Sequence, residues 1–174
     1  MSAHLKDILQ RHVLESFKDQ INASKGLICF SSSWDNPVLW GHYADRHRGV
    51  ALGFEVADEL LLEVTYSNTK FYLPVDTLTN QIKCDEKTLN TFLSTKFVDW
   101  KYEKEWRFFS SLDDSIFESG LYFEKFSDKL RLIDVILGVK CELPINEMRS
   151  LIKTLGYRAQ VNKAKLDDKT YKVL

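Results

Sequence analysis

The sequence has few cysteines, no long apolar run and almost no net charge, and each absence excludes a class of protein. Cys29, Cys84 and Cys141 lie far apart and form no Cys-x-x-Cys pair. We therefore expect reduced thiols in a cytoplasmic protein, not a disulfide framework or a cysteine-rich zinc site. No stretch approaches the roughly 18 apolar residues that span a bilayer, and the N-terminal segment lacks the apolar core of a secretory signal.

The balance of charge narrows the expected partners. The 24 Lys and Arg residues against 25 Asp and Glu residues give a formal net charge of −1. Such a chain exerts no long-range attraction on nucleic acid or on an anionic membrane, so neither is expected as a partner. A small molecule or a protein remains as the expected partner, and the oligomeric state stays open.

The composition is that of one folded domain. The chain has 174 residues, of which 44% are hydrophobic and 13% aromatic, which is enough for one sizeable core. No repeat, low-complexity tract or linker interrupts it. We predict a single domain over residues 1–174 that begins with a helix within 1–25.

The hydrophobic spacing predicts an α+β fold with a mixed sheet and about four helices. The predicted helices cover 2–22, a short segment that begins at Asn36-Pro37, 85–97 and 144–155. The predicted strands cover 27–31, 50–56, 63–66, 105–110, 121–126, 132–138, 159–164 and 170–174, with a hairpin-like loop over 113–120. Residues 71–74 are predicted as either a short strand or an extended segment. The strand–helix–strand order of the last third predicts a parallel crossover.

Aromatic and ionisable side chains concentrate in two motifs, Trp34–Gly49 and Trp100–Arg107, which hold all 4 tryptophans. In the first, Trp40, Tyr43 and His47 have the spacing of one helical face, and His42 lies about 100° from Tyr43. Aromatic rings beside imidazoles suit a flat ligand such as a base or nicotinamide. The alternative is that the aromatic rings are core and the histidines are their hydrogen-bonded partners.

The histidine spacing in the first motif does not favour a metal. His42 and His47 are five positions apart, which misses the spacing of a helical zinc pair. No metal site is predicted.

The second motif contains Glu103-Lys104-Glu105, which on a strand would place both carboxylates on one face. Repulsion would raise the pKa of one, while a donor such as Lys101, Lys104 or Arg107 holds the other ionised. That pair suits general-base catalysis or stabilisation of a cationic transition state. The alternative is a Glu105–Arg107 salt-bridge network, with Trp100 and Trp106 in the core.

Together the motifs give two sets of candidate residues. The catalytic candidates are Glu105, His42 and Tyr43. The ligand-binding candidates are Trp40, His47, Tyr102, Glu103 and Arg107.

Both motifs resemble a known family. Cys29-Phe30-Ser31, Asn36, Leu39-Trp40-Gly41-His42-Tyr43-Ala44-Asp45 and His47-x-Gly49, then Lys96-x-x-x-Trp100-x-Tyr102-Glu103-x-Glu105-Trp106-Arg107, are similar to the signatures of the bacterial family called domain of unknown function 2971. The strand over 133–138, together with the helix and the lysine-bearing strand after it, looks like the family's ending, which makes 26–174 the family-like region.

The resemblance implies no assigned activity. Longer members carry an N-terminal stretch with a tyrosine-rich strand and an Asn-Asp-Pro motif, and here a single helix stands in its place. The chain is thus expected to be a shortened member of the kind that mobile bacterial elements carry. If the missing stretch supplies part of a catalytic site, this chain is a reduced or inactive version.

The motifs support three functional hypotheses, and whether the chain is an enzyme stays open. The first is a small-molecule or nucleotide-like ligand site formed by His42-Tyr43 and Glu103–Glu105. The second is an enzyme similar to ADP-ribosyltransferases that uses NAD, in which His42, Tyr43 and Glu105 position the ribose, stack on nicotinamide and stabilise the transition state, and Glu103 orients the acceptor. The third is a non-catalytic interaction module in which the motifs are purely structural.

Overall fold

The computed structural model describes residues 3–76, 79 and 81–174, and its helices lie close to where spacing and capping residues predict them. The α-helices are α1 (Ala3–Ser24), α2 (Pro37–Tyr43), α3 (Glu86–Ser94) and α4 (Ile145–Thr154). Asp85 caps α3, because its carboxylate accepts a hydrogen bond from the Thr88 backbone N–H at 2.8 Å. Ser2, where the first helix was predicted to begin, lies outside the described residues. Within the described ranges, none of the helices combines the length and apolar character that crossing a bilayer requires.

The strands are short. They are β1 (Lys25–Ser31), β2 (Val50–Glu55), β3 (Leu61–Glu63), β4 (Thr65–Ser67), β5 (Val75–Asp76), β6 (Gln81–Ile82), β7 (Thr95–Phe97), β8 (Glu105–Ser111), β9 (Ile116–Glu118), β10 (Leu121–Phe123), β11 (Arg131–Leu137) and β12 (Gln160–Lys163). Short 3₁₀ helices occupy Asp58–Leu60, Val98–Glu103 and Leu112–Asp114.

Three segments have a structure that differs from the one predicted from the sequence. The segment 71–74 forms no strand, and Pro74, which has no N–H to donate, only accepts a hydrogen bond from the Lys83 N–H at 2.9 Å. The segment 170–174 makes an isolated bridge between Leu166 and Val173 in place of a strand. The loop predicted over 113–120 contains a 3₁₀ helix and β9.

The chain is organised as two compact units, each built from three segments. Unit 1 consists of Met1–Phe30, Glu59–Lys101 and Glu105–Glu124. Unit 2 consists of Ser31–Asp58, Tyr102–Lys104 and Lys125–Leu174. The single-domain boundary over 1–174 stays a prediction.

Unit 1 contains a three-stranded sheet in the order β1-β8-β3. β3 runs antiparallel to β8, with Leu61 opposite Phe108. The helix predicted over 85–97 ends at Ser94, and the chain turns extended at the β-branched Thr95. Residues 95–97 then form β7, which pairs in parallel with β4. This early end of α3 places Lys96 on a strand.

Unit 2 contains a mixed sheet in the order β12-β11-β2, with β11 parallel to β12 and antiparallel to β2. Gly53 fits a close approach of these strands, because a Cβ there would lie 2.9 Å from the Asp134 Cβ. The buried core side chains of this unit form two clusters: Trp40, Ala44, Ile136, Ala164 and Val173, and Leu132, Val135, Ile152 and Val161. The predicted α+β class, the mixed sheet and the C-terminal strand–helix–strand unit are confirmed.

Candidate functional site

The Asn36-Pro37 pair begins α2 and also fixes the segment that carries Tyr102. The Asn36 side-chain oxygen accepts a hydrogen bond from the Val38 N–H at 2.9 Å, which caps the helix. The Asn36 side-chain N–H₂ donates to the Tyr102 carbonyl at 3.2 Å. One asparagine therefore holds α2 and residue 102 together inside unit 2.

Trp40 anchors α2 in the core. Its side chain is 3% exposed, and its indole N–H donates to the Trp34 carbonyl at 2.6 Å. A buried tryptophan whose N–H is satisfied by backbone has no face left for a ligand. Trp40 is thus a core residue, as the structural alternative predicted.

The prediction that Trp40, Tyr43 and His47 share one helical face is wrong. α2 ends at Tyr43, and Asp45, Arg46 and His47 adopt positive φ values of 43°, 53° and 71°. This left-handed turn still returns His47 to Trp40, with the ring centroids 6.1 Å apart and the planes 8° from parallel. Within the described residues, the buried His47 Nδ1 has no hydrogen-bond partner.

The left-handed turn is stabilised by a distant segment. Three consecutive non-glycine residues at positive φ cost about 1–2 kcal/mol each. The His47 carbonyl accepts from the Lys140 N–H at 2.9 Å, and the Gly49 carbonyl accepts from the Gly138 N–H at 2.9 Å. A Cβ at Gly138 would lie 2.2 Å from the His47 carbonyl oxygen, so glycine is required for this docking.

Tyr43 projects from the end of α2 and pairs with Glu103. The tyrosine is 68% exposed, whereas the glutamate is 5% exposed. The Tyr43 hydroxyl donates to the Glu103 carboxylate at 2.6 Å. The Ser31 hydroxyl, at the end of β1, donates to the Glu103 carbonyl at 2.6 Å and fixes its backbone. An exposed phenol is therefore held in place by a buried acid.

His42 contacts two tyrosines. Its ring is edge-on to Tyr43 and to Tyr102, with both centroid distances at 6.2 Å and interplanar angles of 72° and 80°. The Tyr102 hydroxyl is 3.4 Å from His42 Nδ1. Unit 2 thus brings together four of the predicted site residues, His42, Tyr43, Tyr102 and Glu103.

The prediction that both carboxylates of the Glu-x-Glu pair lie on one face of a strand is wrong. Glu103 ends a 3₁₀ helix, Lys104 has a φ of 47°, and Glu105 begins β8. A residue in the left-handed region interrupts the alternation on which the prediction rests. The two glutamates accordingly have different partners.

Glu105 forms a buried ionic cluster in unit 1. Its side chain is 3% exposed, and its two oxygens lie 2.6 Å from Lys96 Nζ and 2.8 Å from Arg107 Nε. Burial opposes ionisation of this carboxyl, but hydrogen bonds from Arg107, Lys96 and Cys29 outweigh it and lower its pKa to about 2. The Glu105–Arg107 bridge matches the structural alternative, although Trp100, expected in the core, is 38% exposed.

Sequence reasoning missed three neighbours of Glu105. The Glu105 backbone N–H donates to the Tyr66 hydroxyl at 2.8 Å. Lys96 lies 5.1 Å from the centre of the Trp100 ring. Desolvation and the hydrogen bond with Glu105 raise the pKa of the Cys29 thiol to about 11. Cys29 and Lys96 both stand in the family signatures, which was the signal that could have identified them.

Metal binding finds no support in the described part of the chain. Among those residues, no group of three or more His, Cys, Asp and Glu side chains could hold an ion.

Neither the curated proteins nor the solved structures yielded a significant match. Residues 39–108 match the model of a family described as "Protein of unknown function (DUF2971)". This range contains the first motif from Leu39 onward and all of the second, while 29–36 and 133–138 lie outside it. The bacterial origin and the shortened N-terminus stay predictions. Over residues 39–108 the chain is thus similar to the family of unknown function DUF2971, the family that the two motifs predicted.

Proposed function

We propose that unit 2 binds a small planar ligand that carries N–H donors, such as a nucleobase or a nicotinamide, against the exposed face of Tyr43. One observation carries the proposal: the hydroxyl of this largely exposed tyrosine is bonded at 2.6 Å to a buried carboxylate. A tyrosine fixed in this way presents a rigid ring to a ligand with little further loss of conformational entropy.

The hydrogen bond also sets the polarity of the contact. Because the Tyr43 hydroxyl donates its hydrogen bond to Glu103, the phenol oxygen would act toward a ligand as an acceptor. Donation to a carboxylate strengthens that acceptor through cooperativity. A ligand amide or amino group would donate to the phenol oxygen while its ring stacks on the tyrosine. Glu103 is in this account a positioning residue, and Tyr43 is the contact.

The imidazole of His42 adds a second aromatic wall. His42 is exposed and is edge-on to both Tyr43 and Tyr102. Aromatic side chains at right angles form a corner that a flat ring can enter.

The geometry favours binding over the transferase chemistry. The ADP-ribosyltransferase hypothesis needs a histidine on a strand and a glutamate available to a developing cation. His42 lies in α2, and both Glu105 oxygens contact basic side chains. We assign Glu105 a structural role, and the use of NAD as a substrate stays an untested prediction.

The proposal is tested by thermal-shift and calorimetric titration with nicotinamide, adenosine and NAD. We expect at least one to raise the melting temperature of the wild type and Tyr43→Phe to weaken its binding by about tenfold or more, equivalent to about 1.4 kcal/mol. Tyr171→Phe, at a tyrosine that is 96% exposed, is the matched control and should bind as the wild type does. Equal affinity of Tyr43→Phe and the wild type, or no binding of any of the three, would refute the proposal. Release of nicotinamide from NAD would restore the transferase hypothesis.

A further inference from the structure

A two-stranded hairpin in unit 1 exposes apolar side chains on both faces. β9 and β10 pair antiparallel around Ser119-Gly120, whose φ values of 52° and 81° fit a type I′ turn. Tyr122 is opposite Phe117, and their ring centroids are 4.8 Å apart. The neighbouring pair, Ile116 and Phe123, points to the other face because side chains alternate along a strand.

The exposure of this hairpin is unusual. Its five large apolar residues, Ile116, Phe117, Leu121, Tyr122 and Phe123, are between 41% and 63% exposed. With about 150–250 Å² for a whole aromatic side chain, these residues leave roughly 500 Å² of apolar surface in water. This surface is divided between the two faces of the hairpin, so each face supplies part of the about 800 Å² that a standard protein interface buries on each side. Exposed apolar patches rimmed by polar residues mark interaction sites.

The strand pairing of the hairpin is a second reason to expect an interaction surface. Among the described residues, β9 and β10 form a sheet of two strands with no third strand beside them. Such isolated hairpins are marginally stable in water and gain from being covered.

The charges in the sequence of the hairpin favour a basic partner. The segment 112–124 contains Asp113, Asp114, Glu118 and Glu124 and no lysine or arginine, and Lys125 directly follows it. A second copy of the same hairpin would bring like charges together, which opposes a symmetric contact. An anionic lipid surface would be repelled in the same way. A protein surface with basic side chains around an apolar centre is complementary both to the apolar side chains of the hairpin and to its acidic residues.

We propose that the β9–β10 hairpin is a docking surface for a basic amphipathic protein segment, in which apolar side chains are flanked by lysine or arginine. The apolar residues of the partner contact the face that carries Phe117 and Tyr122. The basic residues pair with the surrounding carboxylates. This surface belongs to unit 1 and is independent of the ligand site proposed around Tyr43.

The test uses a fluorescent amphipathic helical peptide of leucine and lysine, about 14 residues long, and its leucine–glutamate counterpart, titrated with the full chain. We expect the basic peptide to bind in the micromolar range and to weaken as salt is added, because its charges are exposed. Phe117→Ser and Tyr122→Ser should each reduce the affinity by about tenfold. Tyr72→Ser, at a 72% exposed tyrosine in the same unit, should leave it unchanged.

Several outcomes would overturn the proposal. They are failure of the basic peptide to bind, equal binding of the acidic peptide, and binding that Phe117→Ser and Tyr122→Ser leave intact. Two further outcomes that would overturn the proposal come from light scattering and from flotation with anionic vesicles. Self-association that Phe117→Ser abolishes would assign the hairpin to a second copy, and vesicle binding that Phe117→Ser abolishes would assign it to a membrane. Melting curves of all variants confirm that they remain folded.

Discussion

Glu103 and Glu105 stand two positions apart and are almost equally buried, at 5% and 3% exposure, yet their surroundings differ. In unit 1, Glu105 is bonded to Lys96 and Arg107, which are themselves partly buried. In unit 2, Glu103 is bonded to a tyrosine that is mostly in water. Burial alone therefore does not separate the acid to which we assign a structural role from the acid that we propose to position a ligand contact. The two acids differ in the exposure of their partners.

The largest expected effect is the loss of the Glu105 carboxylate. Glu105→Ala leaves Lys96 and Arg107 facing each other without a counter-charge, so the free energy of unfolding should fall by about 3–5 kcal/mol. Urea unfolding measures this. Glu59→Ala, at an exposed glutamate, is the control and should stay within about 0.5 kcal/mol of the wild type. A loss for Glu105→Ala as small as that of the control would remove the structural role.

The acid dependence of stability should follow the same residue. The pKa of Glu105 is about 2 in the folded chain and 4.5 as its ordinary value, so the unfolded state binds more protons between these pH values. The stabilisation is complete above about pH 4.5 and is lost as the pH falls toward 2. It amounts to something on the order of 3 kcal/mol.

Glu105→Gln supplies the comparison for this pH dependence. Unfolding free energies measured from neutral to acidic pH should fall less steeply for Glu105→Gln than for the wild type. Parallel curves would show that another carboxylate controls the acid transition.

Next in size is the docking of the left-handed turn that comes after α2. Gly138→Ala would place a Cβ against the His47 carbonyl, and since the neighbouring atoms are backbone we expect a loss of about 1–3 kcal/mol. Gly41→Ala is the matched control, because nothing lies within 4 Å of a Cβ there. Inside a helix that change should be neutral or stabilising by up to about 1 kcal/mol. Calorimetry of Gly138→Ala and Gly41→Ala measures the difference between the two variants. Equal melting temperatures would contradict the described packing around Gly138.

The smallest expected effect on stability is at the ligand site. Tyr43→Phe removes a donor from the buried Glu103 carboxylate, but water can reach the position of this largely exposed hydroxyl, so the free energy of unfolding should fall by only about 1 kcal/mol. His42→Ala should behave in the same way, because the imidazole is exposed. If either variant lost several kcal/mol in urea unfolding, the aromatic cluster would be structural.

The sequence predicted the local features and missed those that distant segments determine. The Asn36-Pro37 pair correctly predicted the start of α2. Hydrophobic spacing correctly predicted β11, α4 and β12. The turn at 45–47 was missed, because non-glycine residues adopt positive φ here only with hydrogen bonds from the segment around Gly138 and Lys140.

In the candidate site, too, local contacts were predicted and contacts that depend on distant segments were missed. Arg107 was predicted as a partner of Glu105 because it is one of the nearest donors in the sequence. Lys96 was missed, since it reaches Glu105 only because α3 ends early and β7 pairs in parallel with β4. The positive φ of Lys104, which separates the roles of the two glutamates, carries no signature in its side chain.

One comparison tests the central claim most directly, namely calorimetric titration of the wild type, Glu103→Gln and Glu105→Gln with the ligand that binds in the thermal-shift screen. We predict that Glu103→Gln weakens binding by about tenfold while its stability stays near that of the wild type, and that Glu105→Gln loses stability yet binds normally at a temperature where it is folded. Loss of binding in Glu105→Gln with normal binding in Glu103→Gln would contradict the assignment of a ligand site to one acid and a structural role to the other.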